Sequence, residues 1–138
     1  MCRLMYVFGC LMVGGLVAGC GDDGATEADR IGVGAECTTS GECESPDEEI
    51  ELQCLEQFKG GYCGLEGCTA DADCPDGSAC VTHDDGTGLE NYCFRVCLDK
   101  PECNQNRTEE NWSNCSANVE FVEERNERKA CVPPSSGE

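Results

Sequence analysis

The chain is 138 residues long, with nine Lys or Arg, 28 Asp or Glu, one His and fifteen Cys. A formal charge of −19 excludes a binder of nucleic acid or of an anionic membrane surface, since both need a concentrated positive patch. The length allows one ordinary domain or a short array of small ones, and a Cys content near one residue in nine is that of a disulfide scaffold.

Residues 1–20 read MCRLMYVFGCLMVGGLVAGC. Arg3 precedes an apolar run from Leu4 to Ala18, and small residues follow, which is the pattern of a secretory signal peptide. The run is shorter than the roughly 20 apolar residues that cross a bilayer as a helix. Its end, Val17-Ala18-Gly19-Cys20, resembles the lipobox of bacterial lipoproteins: an aliphatic residue, two small ones and a Cys. The resemblance implies removal of residues 1–19, a diacylglycerol thioether on Cys20 and acylation of the new amino group. Several acyl chains anchor stably where one is marginal, so the expected partner is a membrane, held through lipid. Gly21 rather than Asp follows Cys20. By the sorting rule of enteric bacteria this favours the outer membrane or cell surface over the inner membrane, within the cell envelope.

Without residues 1–19, eight basic against 28 acidic side chains leave −20, and Leu, Ile, Val and Phe number sixteen. Such a composition signals disorder unless crosslinks replace the missing core. Residues 20–36 therefore read as the lipidated Cys20 followed by a flexible acidic linker, GDDGATEADRIGVGAE, and residues 132–138 as a disordered tail.

Between them stand twelve Cys in three groups of four. Module 1 (37–63) is Cys37-x5-Cys43-x10-Cys54-x8-Cys63, and module 2 (68–93) is Cys68-x5-Cys74-x5-Cys80-x12-Cys93. Module 3 (97–131) is Cys97-x5-Cys103-x11-Cys115-x15-Cys131. The first gap is the same each time, and a period near 30 is the signature of an array of small units. CTTSGEC, CTADADC and CLDKPEC each place an acid before the second Cys, while Tyr62 and Tyr92 precede the fourth. Each module predicts a loop leading into a short β-hairpin. The clearest has strand-like Ser78–Thr82 and Glu90–Phe94 around the turn-forming His83–Gly88. For residues 118–129 strand and helix both fit; Glu124 and Arg128 stand four apart, which supports a helix turn.

An exported chain meets an oxidising compartment, so these thiols are expected as disulfides. Four Cys allow three pairings. First-to-third and second-to-fourth is the expected one, because the hairpin then carries the third and fourth Cys on its paired strands. That gives Cys37–Cys54, Cys43–Cys63, Cys68–Cys80, Cys74–Cys93, Cys97–Cys115 and Cys103–Cys131, each worth about 3 kcal/mol in the chain-entropy picture. Zinc knuckles and thioredoxin-like sites use C-x2-C, and the closest spacing here is Cys93-x3-Cys97. No metal site is expected. The fold class is therefore small and disulfide-rich: three tandem four-Cys modules, short β-hairpins and little regular secondary structure. The pattern CTADADCPDGSACV…NYC resembles cysteine-rich extracellular modules of the dickkopf and colipase kind, and the tandem cysteine-rich repeats of bacterial lipoproteins. The resemblance implies the style of fold and no particular partner.

His83, flanked by Asp84 and Asp85, reads as a solvent-exposed turn residue rather than a general base. Asp71, Asp73 and Asp76, with Asp84-Asp85 beside Gly86, raise calcium binding, but no EF-hand spacing is present. Asp47-Glu48-Glu49 and Glu120 to Glu127 read as solvated faces. Trp112 reads either as an exposed contact or as the cap of a thin core. The sequons at Asn106, Asn111 and Asn114 carry no weight beside a bacterial signal. The expected function is a non-enzymatic, cofactor-free surface lipoprotein binding an unknown protein or glycan. The alternatives are a protease inhibitor presenting Pro75–Ala79 or His83–Leu89, or a weak calcium-dependent adhesion module.

Overall fold

The computed structural model describes residues 24–43, 50–125 and 127–136. The signal sequence, Cys20 and the cluster at 47–49 lie outside the described residues. Regular structure is sparse. Helix α1 (Glu27–Ile31) precedes a two-strand pair, β1 (Gln53–Cys54) with β2 (Cys63–Gly64). The long hairpin follows, β3 (Ser78–Asp84) with β4 (Leu89–Arg95), then α2 (Lys100–Cys103). Last come β5 (Asn114–Ser116), β6 (Glu120–Phe121) and β7 (Ala130–Val132). β5 pairs with β7, whereas β6 adds to β3 as a third strand, in the order β4-β3-β6.

The register of the three strand pairs organises the crosslinks. Cys54 stands opposite Cys63, Cys80 opposite Cys93, and Cys115 opposite Cys131. From these facing positions the sulfurs reach back to the loop before the strands, joining Cys37–Cys54 and Cys43–Cys63. Cys68–Cys80 and Cys74–Cys93 follow in the second segment, and Cys97–Cys115 and Cys103–Cys131 in the third. The acid before the second Cys has one task in all three loops. Glu42, Asp73 and Glu102 accept the backbone N–H of Thr38, Thr69 and Leu98, the residue after each first Cys. A carboxylate thus closes the x5 loop and presents both of its cysteines to the strands.

Composition led to the expectation of a thin core, and the structure corrects it. Phe58, Tyr62, Tyr92, Phe94 and Val81 are all essentially buried in one cluster that draws on the first and second segments and on Ala130 of the third. Phe58 sits at its centre, 5.1 Å from Tyr92 and 5.7 Å from Phe94 edge-on, while Tyr92 and Phe94 stack at 5.6 Å. Such pairs add about 0.5–1.5 kcal/mol each beyond the burial of their area. Few apolar residues suffice because these are the large ones.

The expected flexible linker is also corrected over residues 26–36. Thr26 caps α1 in a reciprocal capping box with Asp29. Ala28 and Ile31, three apart on one face, enter the shared core with Val33. Ala28 N–H donates to Asp76 O at 2.7 Å, Gly34 N–H to Cys63 O at 2.8 Å, and Asp29 pairs with Arg95. The tail is corrected likewise through Ser136. Val132 lies in β7, Pro133 is buried, Lys59 N–H donates to Pro134 O, and Ser136 N–H donates to Gln57 O. Residues 122–129 contain no helical turn among those described. Arg128 turns away from Glu124 to bond Asp71.

Gly77 shows how closely α1 is seated. Its φ is +89°, and a Cβ there would lie 2.2–2.9 Å from the Thr26 side chain. Gly77→Ala is expected to cost about 1–3 kcal/mol and to release α1. Native-state hydrogen exchange should then quicken at residues 28–34 with all six disulfides intact. Gly86→Ala, also at positive φ but facing open space, should leave exchange there unchanged.

Candidate functional site

His83 is not an exposed turn residue. It lies in β3, half-buried, with its ring 5.9 Å from Phe58 and 5.6 Å from Phe94. It flanks the aromatic core.

The carboxylates considered for calcium are turned to separate tasks. Asp71 accepts Cys80 N–H at 3.0 Å and Arg128 Nη1 at 2.7 Å, with Arg125 Nε 3.7 Å away. Asp73 is consumed by Thr69 and Ala70. Asp84 accepts Gly86 N–H, and Asp85 accepts Thr87 N–H, the Thr87 hydroxyl and the Tyr92 hydroxyl. Asp76 uses its backbone, donating N–H to Glu27 and accepting from Ala28. Hard cations want several oxygens converging from one loop, and among the described residues no three carboxylates gather within 4.8 Å of one another.

The two loops considered for protease inhibition differ in exposure: 75–79 is partly buried, whereas Gly86–Leu89 is exposed at the tip of the hairpin. Within Pro75–Ala79, Pro75 and Ala79 are buried, Gly77 lies against Thr26 at the start of α1, and Asp76 is exposed. In His83–Leu89 the side chain of Leu89 is exposed, yet its backbone is paired with Asp84 in the hairpin.

The sulfurs do gather. Sγ atoms of Cys37, Cys43 and Cys54 lie within 4.8 Å of one another, as do those of Cys68, Cys74 and Cys80, and of Cys97, Cys103 and Cys131. All are disulfide-bonded, so each group is two bridges in contact and offers no thiolate.

A cleft of about 640 Å³ opens between the first segment and the start of the third, walled by Glu36, Glu42, Glu56, Lys59, Thr108 and Asn111. Glu36 accepts from Thr108 N–H and hydroxyl and from the Asn111 amide. Burial opposes ionisation of Glu36, but these donors outweigh it and hold the carboxyl below its usual range. Among the described residues, no imidazole or free thiol lines the cleft. Beneath it lies the residue that sequence reasoning missed. Arg107, 7 % exposed, donates Nε to Asn111 O at 2.7 Å, Nη1 to Gly34 O at 3.0 Å and Gly61 O at 2.9 Å, and Nη2 to Lys59 O at 2.8 Å. One planar guanidinium thereby ties the α1 segment, the first crosslinked loop and the third. Its only trace in the sequence is its place in the Asn106 sequon, which carries no such signal.

Trp112 is 42 % exposed with the Lys100 ammonium 5.4 Å from its ring, a cation–π contact at the surface. Cys20 lies outside the described residues, and no described helix is long and apolar enough to cross a membrane. No family model, curated protein or solved structure matches the chain.

Two outcomes follow from these contacts. Arg107→Lys keeps the charge but cannot fan donors to four carbonyls, so it should cost about 2–4 kcal/mol, read as a fall in the thermal midpoint without change in disulfide content. Asp71 supplies the pH test. Burial acts to raise its pKa, yet Arg128 and the Cys80 amide prevail and set it below its ordinary value of 3.8. Its contribution is therefore full above that value and is lost as the pH falls through the lower folded value. Asp71→Asn should lower the midpoint at pH 7, and its effect should shrink progressively as the pH falls below 3.8. Relief of acid–acid repulsion is common to both chains and cancels in the comparison.

Proposed function

We propose that the chain is a lipid-anchored, non-enzymatic envelope protein whose crosslinked body presents an acidic surface to a protein or glycan partner. The observation that carries the reading is the inward commitment of reactive side chains. The twelve described cysteines are in bridges, His83 flanks the core, and the carboxylates considered for chemistry close turns or pair with arginines. What is left for function is the outer surface, dominated by acids in a chain of −19.

Export is supported by six disulfides, which persist in oxidising compartments, and by the signal pattern ending at Cys20. Three loops closed by a carboxylate, Glu or Asp, at the same offset support descent from one repeated unit. Acidic fields of this size hasten encounter with basic partners and make the rate fall with salt. Outer membrane or cell surface is the favoured location, by the residue at position 21.

The test is intact mass of protein extracted from membranes, with alkylation before and after reduction. A chain beginning at Cys20 with acyl chains, and twelve thiols alkylated only after reduction, is the expected result. An unlipidated chain, or thiols alkylated without reduction, would overturn it.

A further inference from the structure

The docking of α1 changes the length of the tether. Were residues 20–36 free, the body would begin at Cys37, up to about 60 Å of extended chain from Cys20. The folded body instead begins at Thr26, whose N–H and hydroxyl bond Asp29. Asp29 pairs with Arg95 at the base of the long hairpin, while Glu27 and Ala28 bond the backbone of Asp76 beside it. Six residue steps separate Cys20 from Thr26, at most about 22 Å.

We infer that the α1 end of the body, with Ala25, Glu27 and the Asp76 loop, is a membrane-apposed face held against zwitterionic phospholipid headgroups, and that the β3–β4 tip is membrane-distal. This inference rests on lipid attachment at Cys20, as proposed above. The occupant follows from chain length and charge. Gly24 and Ala25 are exposed at the mouth of the tether, and Glu27 and Asp76 stand beside them, with Asp22 and Asp23 in the tether itself. Acids this close to an anionic bilayer lie within a few Debye lengths of about 8 Å and are repelled; a zwitterionic headgroup layer exerts no such force. Strand β3 runs seven residues from Ser78 beside α1 to Asp84, placing Asp85–Gly88 and the exposed Leu89 about 20 Å further along the hairpin. A partner of the outward face is therefore engaged next to the membrane surface, at the height of one small domain, rather than at the end of a long leash.

The test uses the full-length lipidated protein in phosphatidylcholine vesicles carrying a headgroup acceptor dye. A donor is placed through an azide-bearing residue at Ala25 or at Leu89, and short-range energy transfer is read. Transfer from Ala25 should exceed that from Leu89 several-fold. Inserting about 20 Gly and Ser residues after Asp23, which adds roughly 25 Å of flexible chain, should bring Ala25 down to the level of Leu89. Replacing part of the phosphatidylcholine by phosphatidylglycerol should reduce the Ala25 signal at low salt, and added salt should restore it. Intact mass of the same sample separates the two ways to fail. A chain without acyl groups on Cys20 overturns the anchor and the placement together. An acylated chain with equal transfer at the two sites, or with no response to the insertion, overturns the placement alone.

Discussion

Opposing two cysteines across a strand pair imposes a constraint that recurs three times and from which the fold is built. Because Cys54 faces Cys63, Cys80 faces Cys93 and Cys115 faces Cys131, both bridges of each segment emerge on one side of the strands. The preceding loop must then present its own two cysteines together. A five-residue loop closed by a carboxylate does this, with Glu42, Asp73 or Glu102 in the closing position. Each bridge encloses a separation of 12 to 28 residues, a range in which loss of chain entropy in the unfolded state contributes about 3 kcal/mol per bridge. Strands of two or three residues would be marginal alone; with each strand of the pair tied by one bridge to the preceding loop, they need no length.

Crosslinks confined to single segments would leave three beads, and the contacts between segments are of another kind. Phe58 from the first segment meets Tyr92 and Phe94 from the second, β6 from the third adds to β3, and Arg107 binds carbonyls from three stretches of chain. A guanidinium suits that junction because its donors are planar and divergent, matching carbonyls that no single amide or ammonium could serve together. Tyr62 belongs to the same junction: its hydroxyl accepts Arg95 N–H, and burial pushes its pKa up to about 12. The body is thus one unit, held by aromatic contacts, a buried guanidinium and acids such as Asp71 and Asp85 that are turned inward to bonding partners.

The parts that could be read from sequence are those set by local spacing. The Asp85-Gly86 turn between alternating runs marks the hairpin, and the structure extends its strands only to Asp84 and Leu89. The cysteine density and turn content give a small disulfide-rich fold. What could not be read depends on contacts distant in the chain. Helix α1 has five residues with two buried apolar positions, too few for periodicity to register, and it exists because Asp29, Ala28 and Thr26 find Arg95, Asp76 and Gly77 some fifty or more residues away. Arg107 and the Asp71–Arg128 pair are invisible for the same reason. His83 was misplaced because a polar residue beside two acids resembles a turn, whereas its strand position turns it onto Phe58 and Phe94.

The claim on which these points converge is that three crosslinked segments share one core. Scanning calorimetry of the oxidised protein, with all six bridges intact, tests it most directly. One shared core predicts a single endotherm whose calorimetric and van't Hoff enthalpies agree. Two or three separable transitions, or a van't Hoff enthalpy well below the calorimetric one, would contradict it and return the molecule to independent modules on a string.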